Sequence, residues 1–155
     1  ARAKAAGYSN SYFALFTVPL TQKKNADRFK DWDDLNKADV KVAATLGTTQ
    51  EQQVKRFFPD AVHRIVEAPA RDFQEVLSGR ADANITSNVE ANKLIAKYDQ
   101  LMIVPVSEGR APTPIAMLLP QADQVWINYV NTWIALKTER GFFDGLADKW
   151  GLSVN

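Results

Sequence analysis

The alternation of strand and helix patterns between residues 39 and 106 constrains the fold of this chain more than any other feature. Short apolar runs alternate with segments whose apolar residues recur at helical spacing, and glycine or proline separates many of them. Such an order is typical of parallel strands joined by short helical crossovers, which together form a small α/β domain. The predicted strands are 39–46, 61–67, 81–86 and 101–106, and the predicted helices are 48–58, 70–78 and 88–97.

One strand-to-helix junction carries the first candidate ligand-binding residues. Gly79 ends a predicted helix, residues 81–85 form a buried strand, and the polar Ser87 and Glu90 follow it. Open α/β sheets bind small molecules beyond the carboxyl ends of their strands, so these side chains lie at a candidate ligand edge. The alternative is an ordinary polar turn in which Ser87 or Asn88 caps the next helix.

A second junction has the same character. Gly47 is followed by Thr48, Thr49 and Gln50 at the start of a predicted helix. Backbone N–H groups without partners and the helix dipole make such a position favourable for an anion. Thr48 could equally be a simple helix cap.

Composition removes several classes of function. Nineteen basic and eighteen acidic residues leave a net charge of +1, without the clustered basic face that nucleic-acid binding requires. Cysteine is absent and His63 is the one histidine, which argues against metal sites, cofactor ligation and histidine-based triads. No apolar run is long enough to span a membrane, and residues 1–7 lack the apolar stretch of a signal peptide.

The two ends of the chain differ from the middle. Extended segments at about 10–19 and 104–119 bracket the central region in the manner of two crossing hinge strands. The remainder is predicted to be helical, with two apolar stripes that need a surface to cover. The stripes are Trp126, Tyr129, Val130, Trp133 and Ile134, and Phe142, Phe143, Leu146 and Trp150.

Four motifs occur in a characteristic order. They are Arg2 with Tyr8-Ser9 and Tyr12, then Gly47-Thr48-Thr49, then Gly79-Arg80-Ala81-Asp82-Ala83, and finally Tyr129 to Ile134 followed by Gly141-Phe142-Phe143 and Lys149-Trp150-Gly151. Together they resemble the type II periplasmic solute-binding proteins of the polar amino-acid group, family 3 of the ABC-transporter binding proteins. Within that group the similarity extends to the cyclohexadienyl (prephenate/arogenate) dehydratase branch.

The resemblance implies an α/β fold of the periplasmic-binding-protein type II class, with one full lobe and the C-terminal part of a second lobe. Residues 1–18 are then a lobe 1 fragment and the first hinge strand, residues 19–110 are lobe 2, and residues 111–155 are the second hinge strand and the C-terminal helices of lobe 1. An N-terminal half-lobe is expected to be absent, so that a missing segment or a complementary chain completes lobe 1.

The resemblance also implies a binding site between the lobes. Arg2 is expected to hold a ligand carboxylate, since a guanidinium fork matches a carboxylate with two hydrogen bonds. The turn after Gly47 would clamp the same group from the other lobe. The ligand-binding residues implied are Arg2, Tyr12, Thr48, Thr49, Gln50, Ser87 and Glu90, with no metal and no cofactor.

Two functions follow, of different classes. The first is an extracytoplasmic solute-binding component of an ABC importer, which holds a small carboxylate-bearing ligand in the periplasm and delivers it to a permease. The alternative is a cyclohexadienyl dehydratase with Glu90 as general acid. Two departures favour the binding protein over the enzyme, because Thr17 and Thr49 stand where the enzymes have lysine and asparagine. A third departure concerns the ligand: Ser87 stands where amino-acid binders of the group have an aspartate that holds the α-ammonium, and serine does not supply that charge. A sensor domain of a membrane receptor would share the same fold.

Overall fold

The computed structural model of the protein describes residues 6–150 and residue 152. The chain divides into a central unit, Thr17–Arg110, and a flanking unit made of the described residues up to Phe16 and from Ala111 onward. None of the helices in the described ranges is long and apolar enough to cross a membrane.

The strands are β1 (Gly7–Tyr8), β2 (Phe13–Gln22), β3 (Lys41–Thr45), β4 (Val62–Val66), β5 (Ala83–Ser87), β6 (Leu101–Ile103), β7 (Arg110–Ile115) and β8 (Leu118–Leu119). The α-helices are α1 (Thr49–Phe57), α2 (Asp72–Leu77), α3 (Asn88–Lys97), α4 (Gln124–Glu139) and α5 (Phe142–Lys149).

The main sheet has the strand order β4-β3-β5-β2-β6, and β7 also pairs with β2. β3 is parallel to both β4 and β5, as expected for strands joined by helical crossovers. β2 is antiparallel to both of its neighbours, β5 and β6. The four predicted strands therefore run in one direction, and β2 lies antiparallel between the last two of them.

Local signals set the ends of the helices in the central unit. Thr48 has extended backbone angles, and its side chain accepts a hydrogen bond from the Glu51 N–H at the start of α1. Gly47 and Gly79 adopt positive φ angles of 75° and 73° in the turns before α1 and after α2. A left-handed conformation is costly for residues with a Cβ atom, so glycine suits both turns.

The core of the central unit covers both faces of its sheet. One cluster contains Phe29, Trp32, Phe58 and Ile85, and the other contains Leu20 with residues from α2, α3 and β6. Each of these large side chains contributes roughly 1.5–3 kcal/mol when fully buried. Burial on both faces explains why β3 contains the continuous apolar run Val42-Ala43-Ala44 and not an alternating pattern.

In the flanking unit, β1 pairs with β8, and α4 and α5 follow. The face that α4 buries consists of Ile127, Val130 and Ile134. The predicted stripe is partly wrong, because Trp126 and Tyr129 are 46% and 62% exposed and stack on each other with ring centroids 5.4 Å apart. Apolar residues occupy so much of the circumference of α4 that helical spacing alone fits more than one stripe.

Candidate functional site

The candidate edge is formed where β3 and β5 end and α1 and α3 begin. These strands are parallel, with Val42 opposite Ala83, so their carboxyl ends lie on the same side of the sheet. β3 ends at Thr45 and β5 ends at Ser87. The central unit therefore brings the two sequence-predicted junctions, the turn after Gly47 and the turn after Ile85, to one edge.

At the first junction, the Thr48 hydroxyl has a structural role. Its Oγ1 accepts from the Glu51 N–H at 3.2 Å and donates to the Thr45 carbonyl at 2.6 Å. These bonds use the hydroxyl as donor and as acceptor, so the capping alternative holds for this side chain. Thr49 is exposed and Gln50 is half-buried, which leaves them as the side chains of this turn with access to a ligand.

The acid of the same turn is neutralised locally. The Glu51 carboxylate accepts from the Lys55 ammonium at 2.6 Å and from the Gly47 N–H at 2.8 Å. The hydrogen bond from Lys55, together with the Gly47 N–H, lowers the pKa of Glu51 below its usual value. Its charge therefore detracts little from the affinity of the α1 N-terminus for an anion.

At the second junction, Ser87 caps α3. Its Oγ accepts from the Glu90 N–H at 3.2 Å, which confirms the simple N-cap geometry weighed from the sequence. The hydroxyl can still donate a hydrogen bond, and the side chain is half-buried. The Glu90 side chain is 40% exposed, and its Oε1 lies 3.7 Å from Nη2 of Arg71.

Arg71 is a residue that the sequence argument did not select. It directly precedes α2, and the N–H of the next residue, Asp72, donates to Oγ1 of Thr45 at 3.3 Å. This contact holds the start of α2 against the end of β3. The signal that could have found Arg71 is its position in a loop that follows the carboxyl end of a parallel strand, β4.

Thr17 and Gln53 add a polar contact to the candidate edge. Thr17 lies opposite Ser87 in the β2–β5 pairing and is buried. Its hydroxyl donates to Oε1 of Gln53, on α1, at 3.1 Å. The position at which the resemblance led us to look for a lysine thus holds a small, hydrogen-bonded side chain without charge, and Gln53 is a second polar residue that the sequence argument missed.

Beneath this edge lies a buried acid, Asp72. Burial raises the pKa of Asp72 above its usual value, while the Phe73 N–H, the Asn84 side chain and the Arg71 charge act in the opposite direction. Asn84 is itself fully buried on β5. Among the described residues, no group forms a hydrogen bond of good geometry with the side-chain oxygen or nitrogen of Asn84.

Two predicted site residues are not among those that the structure describes in the central unit. Tyr12 is part of the flanking unit, where its ring lies 5.3 Å from that of Phe143 and its N–H donates to the Ile115 carbonyl at 3.1 Å. Arg2 lies outside the described residues. The predicted residues that the central unit brings to one edge are Thr48, Thr49, Gln50, Ser87 and Glu90.

Within the part of the chain that the structure describes, no three metal-binding side chains cluster. His63 is half-buried on β4, and its Nε2 lies 2.7 Å from the Phe58 carbonyl oxygen. Its ring is therefore engaged with the backbone after α1. The chemistry of the candidate edge is that of hydrogen-bond donors, one carboxylate and one guanidinium.

No protein-family model matches the chain, but individual known proteins are similar to it. The L-cystine-binding protein TcyJ of Escherichia coli (strain K12) is 25% identical over 149 residues, and the cyclohexadienyl dehydratase of Pseudomonas aeruginosa is 24% identical over 151 residues. Each alignment covers 96% of this chain and 55% of the relative. The solved structure of an ancestral cationic amino-acid solute-binding protein is 38% identical with a TM-score of 0.75, and covers 96% of this chain and 63% of that one.

The chain is therefore similar in sequence and in fold to type II periplasmic solute-binding proteins. Both the α/β fold class and the family resemblance inferred from the motifs are thereby confirmed. The chain spans just over half the length of the curated relatives it matches.

Overall similarity does not separate binding from catalysis within this family. One relative, 25% identical, is named for cystine binding. Another, 24% identical, is named for a dehydratase activity. Side-chain chemistry at the candidate edge must therefore distinguish the two functions.

Proposed function

We propose that this solute-binding protein is the extracytoplasmic component of an ABC importer and holds a small carboxylate-bearing ligand, an amino acid or a related organic acid. The observation that carries the proposal is the meeting of the α1 and α3 N-termini at one sheet edge, beside the accessible side chains Thr49, Gln50 and Ser87. Its likeness to an ancestral amino-acid solute-binding protein supports the same assignment.

A carboxylate suits this edge for electrostatic reasons. The first N–H groups of a helix lack partners within the helix, and the dipole places partial positive charge there. α1 has nine residues and α3 has ten, so both are long enough to have such an end. Thr49 and Gln50 sit in the first turn of α1, where their side chains can add hydrogen bonds to those of the backbone.

The division into lobes is part of this proposal. Residues 19–110, which lie within the Thr17–Arg110 unit, would serve as lobe 2, and residues 1–18 and 111–155 would supply the hinge strands and part of lobe 1. Arg2 and Tyr12 would contact the ligand from lobe 1. Closure of two lobes around a ligand is a hinge motion, and a permease would receive the ligand from the closed form.

The surroundings of Glu90 argue against the dehydratase alternative. A carboxyl that donates a proton near neutral pH needs a desolvated environment. Glu90 is 40% exposed, lies in the first turn of a helix and has the Arg71 guanidinium 3.7 Å away. None of these features provides the desolvated cleft that a general acid requires.

Calorimetric titration of the full-length protein with amino acids and small organic acids tests the proposal. We expect at least one carboxylate ligand to bind and to raise the melting temperature, as mass action requires. Gln50→Ala should weaken binding by about 1 kcal/mol, the contribution of a typical hydrogen bond.

Gln52→Ala is the matched control, because Gln52 lies two residues further along α1 and is exposed. Equal loss in both variants would show that the start of α1 has no special role. Turnover of prephenate or arogenate that disappears in Glu90→Gln would replace the binding proposal with the enzymatic one.

A further inference from the structure

We propose that Arg71 determines the ligand class of this site by selecting a second anionic group, so that small dicarboxylic acids bind in preference to their half-amides. This inference rests on the proposed solute-binding function and names the chemistry of its ligand. Three observations lead to it: where Arg71 lies, how loosely it is paired, and the charge of its neighbours.

Arg71 lies where the two junctions of the candidate edge meet. The Asp72 N–H donates to Oγ1 of Thr45, which fixes the start of α2 beside the end of β3. The Arg71 guanidinium then reaches the first turn of α3, with Nη2 3.7 Å from Oε1 of Glu90. A ligand that contacts Ser87 and the start of α1 would therefore have this guanidinium within reach.

The ion pairing of Arg71 differs from that of Arg28 and Arg80, two other arginines in the central unit. Arg28 donates to Asp82 at 2.8 Å and to Asp39 at 3.0 Å, and Arg80 donates to Glu75 at 2.6 Å. Arg71 is 56% exposed, and its 3.7 Å contact with Glu90 is longer than a hydrogen bond. Its planar fork can therefore turn to a ligand carboxylate without first breaking a close ion pair.

The charge balance at the edge favours an anion. Ser87 carries no charge, Glu51 is neutralised by Lys55 at 2.6 Å, and Asp72 is buried beneath the edge. The Arg71 guanidinium and the two helix N-termini remain as the positive groups, with Glu90 opposite them. A ligand carboxylate would exchange with Glu90 as the partner of Arg71, while an uncharged amide in the same place would gain much less.

The test compares four ligands that differ in one group at a time: glutarate, glutaramate, glutamate and glutamine. Calorimetry on the full-length protein should show each diacid binding about tenfold or more tightly than its half-amide, the ratio expected for a charged hydrogen bond. Arg71→Gln should remove this preference by weakening the diacids, and should leave the half-amides within about threefold of their original affinity.

Two further variants separate specificity from folding. Arg71→Lys keeps the charge and loses the fork, so an intermediate preference is expected. Lys97→Gln, at the opposite end of α3, removes an exposed cation away from the edge and should leave every affinity unchanged. Melting temperatures of all variants establish that each is folded.

Three results would overturn the inference. They are equal affinity of the original protein for diacids and half-amides, an equal loss for both classes in Arg71→Gln, and a change in preference in Lys97→Gln. Each leaves the solute-binding proposal standing if any carboxylate ligand binds. Binding by none of the four overturns the role of Arg71, and only the wider panel of amino and organic acids decides whether the solute-binding proposal fails with it.

Discussion

Two acidic residues one turn apart on α2 experience opposite environments. Glu75 accepts hydrogen bonds from Arg80 and Arg64, and these bonds, that of Arg80 first, lower its pKa from 4.5 to about 2. Burial raises the pKa of Asp72. The same short helix therefore carries one carboxylate whose charge the fold stabilises and one whose charge the fold opposes.

Glu75→Gln is expected to destabilise the protein at neutral pH and to flatten its acid unfolding. The lowered pKa means that Glu75 contributes stability above pH 4.5, which is lost as pH falls from 4.5 towards 2. We expect a loss of about 1–2 kcal/mol, less than the full shift implies, because Arg64 and Arg80 are 44% and 57% exposed. Urea titrations between pH 2 and pH 7 measure it, with the exposed Glu67→Gln as control. A pH profile of Glu75→Gln that parallels the original would contradict the assignment.

Asp72→Asn is expected to change the stability of the protein in the opposite direction from Glu75→Gln. A folded-state pKa raised above the unfolded value means that the contribution of Asp72 is greatest at low pH and declines as pH rises through the folded value. Asparagine keeps an acceptor for the Phe73 N–H, 2.9 Å from Oδ1 of Asp72, without a buried charge. The melting temperature of Asp72→Asn at pH 7 should therefore equal or exceed that of the original protein. A clear decrease would show that the charge itself is needed, for example to hold Asn84.

Sequence reasoning located the candidate edge but not all of its chemistry. Thr48 and Ser87 were recognisable as helix starts because capping depends on residues a few positions apart. Arg71 and Gln53 were not recognised, since their roles depend on contacts with Glu90 and Thr17 that only the folded sheet creates. The looseness of an ion pair has no sequence signature.

Among the strands and helices too, the features set by local sequence were predictable, and those set by distant pairing were not. β3, α1, β4, α2, β5 and α3 were predictable because each has its own apolar period and its own stop signal. The placement of β2 was not, since an antiparallel strand inserted between β5 and β6 depends on pairing across more than sixty residues. Pro19 within β2 concealed it further, because proline has no N–H to donate to a neighbouring strand and is unusual inside a sheet.

Exposed apolar side chains are distributed unevenly over the whole molecule. In the described part of the chain, most of the large hydrophobic residues with high exposure belong to the flanking unit, among them Val125 at 81%, Trp150 at 69% and Tyr129 at 62%. The central unit has Leu46 and Val62 in this class, and it contains both buried core clusters. The two units thus differ in how completely each buries its own apolar surface, which bears on which can fold alone.

The central unit is expected to fold by itself. A fragment of residues 17–110 keeps all five strands in the order β4-β3-β5-β2-β6 and both core clusters, so it should unfold cooperatively in urea and give a dispersed NMR spectrum.

A fragment of residues 23–110 is the matched control. It lacks all of β2, including the buried residues Val18, Leu20 and Thr21, which leaves β5 and β6 without their common neighbour. We expect this shorter fragment to be unfolded or molten, because the gap lies inside the sheet and not at its edge. A cooperative 23–110 fragment, or an unfolded 17–110 fragment, would show that the boundary at Thr17 does not delimit an independent domain.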